Sequence, residues 1–151
     1  MRKFEVVKDF AIKYGEKNVR MPERGTKYSA GYDFFSPTDA VIEPHSKLLI
    51  STNLKADMEG DEFLMLCPRS SMGKRGITLA NGVGIIDKDF YGNESNDGNF
   101  GFLLQNNSDE PYVINKGDKL GQGIFMKFLT VENDIVASEV RSGGFGSTDK
   151  K

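Results

Sequence analysis

The distribution of turn residues along this chain is the feature that most limits its fold. Glycine accounts for 17 of the 151 residues, and turn-forming residues recur at intervals of roughly 8–12 positions. No segment keeps the apolar spacing of an amphipathic helix over several turns. Between the turns lie short runs that favour strands, at positions 4–7, 41–42, 47–51, 62–66, 84–86, 100–104, 112–114, 124–128 and 135–140.

Many short strands at this spacing predict an all-β sandwich, jelly roll or barrel. One short helix is predicted over residues 70–75. The length, with 38% hydrophobic residues, suits one compact domain with its own core. We therefore predict a β domain over residues 1–140. The glycine-rich residues 141–151 would follow it as a flexible arm, because glycine costs much chain entropy to order.

Charge and residue usage exclude several classes of function. A formal charge of −2 and a pI near 5.5 argue against an extended nucleic-acid surface, which needs basic patches. No apolar run is long enough to span a bilayer, and we expect a cytoplasmic protein. The single cysteine, Cys67, lies in an apolar run and is predicted to fill the core. With one histidine besides, the chemistry must come from carboxylates, hydroxyls, arginines and backbone groups.

The segment Pro68-Arg69-Ser70-Ser71-Met72-Gly73-Lys74-Arg75-Gly76 follows a strand-like apolar run. It offers a guanidinium, two hydroxyls and glycine-exposed amides, which together can surround phosphate oxygens. A solvated turn is the alternative interpretation. The spacing is not that of a P-loop.

The segment Asn81-Gly82-Val83-Gly84-Ile85-Ile86-Asp87-Lys88-Asp89-Phe90-Tyr91-Gly92 is predicted to form a hairpin with apolar arms. Asp87 and Asp89 are two positions apart, so on a strand they would share a face. Solvated acids in an ordinary turn are the alternative. Asp87 directly follows apolar residues, however, and that setting suits a general base.

Two further segments are polar and rich in turn residues. Asn93-Glu94-Ser95-Asn96-Asp97-Gly98-Asn99 is predicted to be a surface loop between strands. It would be either a solvated excursion or a contact surface for a protein partner. Near the C-terminus, Arg141 would offer a second phosphate contact, and Phe145 would offer a surface for stacking on a base.

Taken in order along the chain, five segments resemble the five motifs of the trimeric dUTPase family. The first is Ala30-Gly31-Tyr32-Asp33-Phe34, and the second is Pro68-Arg69-Ser70-Ser71 with Gly73. The third is Gly84-Ile85-Ile86-Asp87-Lys88-Asp89-Phe90-Tyr91-Gly92. The fourth, Lys119-Leu120-Gly121-Gln122-Gly123-Ile124-Phe125, resembles the family's Arg-Ile-Ala-Gln, and the fifth is Gly143-Gly144-Phe145-Gly146-Ser147-Thr148.

The resemblance implies a jelly-roll-like, distorted β-barrel that assembles as a homotrimer with three shared active sites. Motifs one, two and four would come from one subunit and motif three from a neighbour. The fifth motif, on a mobile C-terminal arm, would close over the site from the remaining subunit.

The resemblance also implies a dUTP pyrophosphatase that limits uracil in DNA and supplies dUMP for dTMP synthesis. Asp87 would deprotonate a water for in-line attack on the α-phosphorus of dUTP. Arg69, Ser70 and Gln122 would hold phosphate oxygens. Mg²⁺ would bind mainly to the phosphates and to water, with Asp33 touching it through a water.

The same motifs imply how the substrate is recognised. Backbone groups of the third motif would select uracil over cytosine, and thymine would be excluded by its methyl group. Phe90 stands where the family commonly has tyrosine, and its ring would deny space to a ribose 2′-hydroxyl. The implied binding residues are Ser71, Gly73, Asn81, Gly84, Ile86, Phe90, Arg141, Phe145, Gly146, Ser147 and Thr148.

Two other functions compete with dUTP hydrolysis. A dCTP deaminase of the same superfamily would share the fold and the trimer, but the glycine-rich arm around Phe145 is typical of dUTPases. A nucleotide-binding trimer could instead regulate a protein partner, with catalysis secondary. Asp87, Arg69 and Ser70 argue against a purely binding role.

Overall fold

The computed structural model describes residues 1–138 and Gly144, and this part of the chain is almost entirely β. It contains one α-helix, Ser70–Lys74, and two short 3₁₀ helices, Asp9–Ala11 and Lys88–Phe90. None of these helices could span a membrane. The strands are β1 Lys3–Val6, β2 Glu23–Arg24, β3 Tyr32–Phe35, β4 Ala40–Ile42, β5 Lys47–Ser51, β6 Leu54–Asp57, β7 Glu62–Cys67, β8 Ile77–Leu79, β9 Gly84–Asp87, β10 Gly101–Asn106, β11 Tyr112–Ile114 and β12 Lys119–Lys127.

The strands pair only in antiparallel fashion within the described residues. A five-stranded sheet has the order β2-β3-β12-β7-β9, and a three-stranded sheet has the order β5-β10-β8. Two further pairs, β1 with β6 and β4 with β11, complete the arrangement. Most neighbouring strands are distant in sequence, as in jelly rolls. The predicted all-β, jelly-roll-like class is confirmed, and so is the short helix at Ser70.

Alternating burial along the strands creates the core. In β7 the side chains of Leu64 and Leu66 are buried, and in β10 those of Phe102 and Leu104 are buried, because successive residues point to opposite faces. Cys67 falls on the other face of β7 and is only half-buried, so its predicted place in the core is wrong. Burial still raises the pKa of the Cys67 thiol, which does not favour a nucleophilic thiolate.

A bulge in β12 sets the register of the large sheet. The pairing with β3 shifts between Lys119 and Gly121, so that the side chain of Leu120 is fully buried. A Cβ atom on Gly121 would lie 2.5 Å from Cε1 of Phe102, and the glycine has φ +156°. Only glycine fits this close approach, and the bulge therefore sits at a defined position.

Residues 81–92 do not form the predicted hairpin. Within this segment the structure has strand β9, which pairs with β7, followed by the 3₁₀ helix Lys88–Phe90, so the segment holds no second strand that could pair with β9. Strand β9 ends at Asp87, and Asp89 lies in the following 3₁₀ helix. The prediction that Asp87 and Asp89 share one strand face is therefore wrong.

Other boundaries also differ from the sequence prediction. Strands β2, β6 and β8 were not predicted, whereas β3 was expected, because residues 30–35 form an apolar run around Asp33. Residues 135–138 are irregular rather than part of a strand, and residues 139–140 lie outside the described part of the chain. Short strands that pair with distant partners carry a weak local signal, because tertiary packing stabilises them.

The loop formed by residues 93–99 is not the solvent-exposed loop that its composition predicts. Asn93, Asp97 and Asn99 are all buried, while Glu94 and Ser95 are exposed. Asparagine-rich loops look alike in sequence whether they hydrogen-bond to water or to the protein. Here three of the six polar side chains are buried in the protein.

A buried ion pair fastens this loop to the sheet. Lys55 Nζ lies 2.8 Å from Asp97 Oδ2, and the Lys8 backbone N–H donates to the same oxygen at 2.8 Å. Burial opposes ionisation of Asp97. The hydrogen bonds from Lys55 and Lys8 outweigh that effect, so the pKa of Asp97 is lower than its ordinary value.

We expect Asp97→Ala to lower the free energy of unfolding by about 3–5 kcal/mol at neutral pH, because it leaves the Lys55 ammonium buried without its partner. The folded-state pKa of Asp97 is depressed, so its stabilisation is present above the ordinary value of 3.8 and is lost as pH falls below it. Urea unfolding at neutral pH and at about pH 3 should therefore show the gap between variant and wild type narrowing in acid.

Asp9→Ala is the matched control, because it removes an exposed ion pair, Lys17–Asp9, and should change stability by less than about 0.5 kcal/mol. A gap between Asp97→Ala and wild type that stays constant with pH would show that the ionised Asp97 is not the stabilising species.

Candidate active site

Three adjacent strands bring the first, second and fourth motif segments together. In the register of the large sheet, Gln122 on β12 lies opposite Asp33 on β3 and opposite Cys67 on β7. Pro68 and Arg69 follow Cys67 directly. Residues far apart in sequence thus meet near the C-terminal end of β7. We call Asp33, Arg69, Lys119 and Gln122 the polar cluster.

Asp33 is the centre of this polar cluster. Its side chain is mostly buried, and its two carboxylate oxygens face two cations: Arg69 Nε at 3.6 Å and Lys119 Nζ at 3.2 Å. Lys119 was not predicted to be a site residue. It occupies the position of the arginine in the family's fourth motif, and that correspondence was the available signal. The two cations create a positive local field that can receive an anion.

Gln122 is held against the second motif segment. Its Nε2 donates to the Pro68 carbonyl at 3.2 Å. A Cβ atom on Gly31 would lie only 2.2 Å from Gln122 Oε1, so the amide occupies the space that Gly31 leaves open. At the adjoining helix, the residues predicted to contact phosphate are all exposed to solvent: Ser70, Ser71 and Gly73.

A cavity of about 490 Å³ lies apart from the polar cluster. The cavity is lined by Asp87 and by every described residue that the sequence assigned to uracil and sugar recognition. Its walls are mainly apolar with a few polar groups, as is typical of sites for small organic ligands. The predicted lining residues are Asn81, Gly84, Ile86, Asp87 and Phe90.

Phe90 and Gly144 meet in this cavity. The Phe90 ring is largely buried, and a Cβ atom on Gly144 would lie 3.1 Å from its Cε1 atom. Polar residues that the sequence did not point to form another part of the wall. No motif marks Lys13 or Ser51, and the asparagines belong to the loop predicted to be on the surface. These residues are Lys13, Ser51, Asn96 and Asn99.

Within one chain the cavity and the polar cluster are separate. Asp87 lies opposite Phe63 on β7, whereas Gln122 lies opposite Cys67. Four residues along a strand correspond to about 13 Å, and none of the polar cluster residues lines the cavity. A single described chain therefore presents two separate candidate sites, the cavity and the polar cluster.

The predicted arm residues fall outside the described part of the chain, except for Gly144. Those residues are Arg141, Phe145, Gly146, Ser147 and Thr148. Their assignment as binding residues stays a prediction.

The fold is well represented among solved structures. A dUTPase from Streptococcus mutans superposes with a TM-score of 0.75 at 33% identity, covering 86% of this chain and 98% of that one. A mutant dUTPase from phage phi11 of S. aureus, described with a coordinated structural Mg(II) ion, gives a TM-score of 0.71 at 25% identity, covering 91% and 97%.

The sequence comparison agrees. The deoxyuridine 5'-triphosphate nucleotidohydrolase of Lactococcus lactis subsp. lactis (strain IL1403) is 43% identical over 150 residues, which cover 98% of this chain and 97% of that protein. The Arabidopsis thaliana enzyme of the same name is 35% identical, covering 92% and 82%. Residues 17–149 match the profile of the dUTPase family. The chain belongs to the dUTPase family, and the family prediction is confirmed.

We expect Gly31→Ala to lower kcat/KM for dUTP by about tenfold or more, because the new methyl group displaces Gln122 from its position beside Pro68. Gly60→Ala is the matched control, since a Cβ atom there meets nothing within 4 Å. Steady-state kinetics and thermal unfolding of both variants measure the effect.

A Gly31→Ala protein with wild-type kinetics would contradict a role for the Gln122 amide in substrate binding. A loss of activity explained by unfolding would appear instead as a lowered Tm.

Proposed function

We propose that this protein hydrolyses dUTP to dUMP and pyrophosphate. The observation that carries the proposal is the convergence of Asp33 on β3, Gln122 on β12 and Arg69 just after β7, in a chain that also holds a nucleoside-sized cavity. Its relatives carry the name deoxyuridine 5'-triphosphate nucleotidohydrolase over nearly the whole chain. That name also disfavours the dCTP deaminase alternative.

The cavity suits a pyrimidine nucleoside. Gly84 packs directly on Leu66, where a Cβ atom would come within 2.9 Å of the leucine Cβ, so this part of the wall has no room for a larger residue. Backbone groups of Asn81, Gly84 and Ile86 would pair with uracil. A cytosine would leave buried donors or acceptors unpaired at about 1–3 kcal/mol each. Phe90 would pack under the sugar.

The polar cluster suits the triphosphate. Arg69 and Gln122 would hold phosphate oxygens, and Ser70 would donate near the bond between the α- and β-phosphates. Ser71 and the Gly73 amide lie next to them. Since these donors are fixed by the sheet and the helix, they would stabilise the charge that develops on the leaving pyrophosphate.

The residues of the polar cluster fit Mg²⁺ carried in by the substrate. Mg²⁺ usually binds one or two carboxylates together with phosphates and retained waters, and Asp33 is the carboxylate that faces the cluster. Among the described residues no group of three or more acidic, histidine or cysteine side chains forms a metal cage. The ion would neutralise phosphate charge, and Asp33 would reach it through a water.

Asp87 would act as the general base. It would take a proton from a water whose oxygen forms the new bond to the α-phosphorus. The bond from that phosphorus to the bridging oxygen then breaks, and pyrophosphate leaves with the electron pair. General bases of this kind contribute about 10²–10⁴-fold in rate.

The cavity of one chain and the polar cluster of a neighbouring chain would meet in a homotrimer. The separation of about 13 Å along β7 keeps Asp87 away from the polar cluster of its own chain, so a neighbour's Asp87 would complete each site. The segment after β12 supports such an assembly, because Leu129 and Ile135 are 96% and 91% exposed. Large apolar side chains left this exposed are typical of surfaces that another subunit covers.

Three further predictions remain proposals. The fifth motif, with Arg141, Phe145 and the Ser147 and Thr148 hydroxyls, would close on the nucleotide as an arm. The location would be cytoplasmic. A protein partner at the 93–99 loop has little support, because Asn93, Asp97 and Asn99 are buried and leave few polar groups to contact it.

The purified protein should release pyrophosphate from dUTP in the presence of Mg²⁺, and a chelator should suppress the reaction. UTP and dCTP should be poor substrates, because their 2′-hydroxyl or cytosine edge does not fit the cavity. Ammonia release from dCTP, or no pyrophosphate from dUTP at any Mg²⁺ concentration, would contradict the proposed function.

Subunit mixing tests the shared site. Asp87→Asn and Arg69→Ala should each lower kcat by about 100-fold or more. If each site combines one chain's Arg69 with a neighbour's Asp87, random co-assembly of equal amounts should restore about a quarter of wild-type activity. Co-expression with two affinity tags and a pyrophosphate assay measures this.

A site built within one chain would recover no activity on mixing, because every chain would carry a defect. Asp87→Asn mixed with itself is the control.

A further inference from the structure

Residues 91–99, which we call the 91–99 loop, comprise the 93–99 loop and the two residues before it. They hold the backbone of Phe90 directly. The Phe90 carbonyl accepts hydrogen bonds from both the Asn93 side chain, at 2.7 Å, and the Asn93 backbone N–H, at 3.3 Å. On the other side, a Cβ atom on Gly98 would lie 2.9 Å from the Phe90 oxygen, and Gly98 has φ +93°. The carbonyl is thus clamped between Asn93 and Gly98.

The loop is rigid in itself because its side chains close a small hydrogen-bond network. Asn93 Oδ1 accepts from the Ser95 hydroxyl at 2.8 Å and from the Asn96 backbone N–H at 3.1 Å. Asn96 Oδ1 accepts from Asn93 Nδ2 at 2.7 Å and from the Gly98 N–H at 3.0 Å. Fully paired buried networks of this kind favour a single conformation.

The loop is also anchored to the sheet formed by β1 and β6. Lys55 on β6 pairs with Asp97 and lies 4.7 Å from the centre of the Tyr91 ring. The Tyr91 hydroxyl donates to Glu5 on β1 at 2.5 Å, which raises the pKa of Tyr91 to about 12. Both ends of the loop are therefore tied to strands outside the cavity.

These contacts form a continuous support beneath one wall of the cavity. Phe90 carries no polar group of its own that would fix its ring, so the ring's depth in the cavity follows from where its backbone is held. A ribose differs from a deoxyribose by one hydroxyl, and a displacement of about 1 Å is enough to change such discrimination.

We propose that the 91–99 loop is a positioning element for Phe90, and that it contributes to the selection of deoxyribose over ribose. The inference rests on the proposed function, in which Phe90 packs under the sugar. Asn93 and Gly98 are positioning residues rather than substrate contacts.

Two variants move Phe90 by different means. Asn93→Asp keeps the volume and the acceptor oxygen, but it places a carboxylate oxygen against the Phe90 carbonyl where an amide donor stood. Gly98→Ala pushes a methyl group onto the same carbonyl. We expect each to lower the ratio of kcat/KM for dUTP to kcat/KM for UTP by about tenfold.

Each variant has a matched control. Glu94→Gln changes the charge by one unit at an exposed neighbour of Asn93. Gly117→Ala introduces a methyl group at a similar left-handed backbone position outside the loop, φ +91°, where it meets nothing within 4 Å. Both controls should keep the wild-type ratio.

The ratio is the decisive readout because both substrates are measured on the same preparation, so the fraction of folded enzyme cancels. A loop that merely stabilised the domain would reduce both rates by one factor and leave the ratio unchanged. That result, or the loss of the folded trimer in both variants, would overturn the proposal. A wild-type protein that does not cleave dUTP would overturn the proposed function instead.

Discussion

The close packing of the Phe102 ring on Gly121 is the contact on which the rest of the structure depends. Because no side chain fits there, strand β12 bulges at this point and at no other in its pairing with β3. The bulge sends Leu120 into the core and sets Gln122 between Asp33 and Cys67. A slip of one residue would reverse every side chain beyond it, and the polar cluster would not form.

The separation between the cavity and the polar cluster follows from the same sheet. Strands β12 and β9 flank β7, and their polar residues, Gln122 and Asp87, pair with positions four residues apart on it. No rearrangement of side chains bridges such a distance within one chain. If the site is shared in the proposed trimer, a dissociated chain would hold no complete site, and activity would therefore depend on assembly.

The 93–99 loop shows how the interior can be built from polar groups. Burying an amide is costly unless its donors and acceptors are paired, and among the described residues no buried side-chain nitrogen or oxygen lacks a partner. The loop achieves this pairing internally and through Asp97 and Asn99. Its amides therefore add rigidity next to the cavity, whereas a solvated loop of the same composition would add motion.

Turn spacing, strand propensity and ordered motifs are local properties, and for that reason the all-β class, the short helix after Cys67 and the family could be predicted from the sequence. It also identified Asp33, Arg69 and Gln122, which the fold then brought together. Three features could not be predicted: Asp87 lies apart from these residues, strands β8 and β9 belong to different sheets, and Lys119 faces Asp33. These features depend on which distant strands pair and in which register, and that choice is made by packing across the core rather than by neighbouring residues.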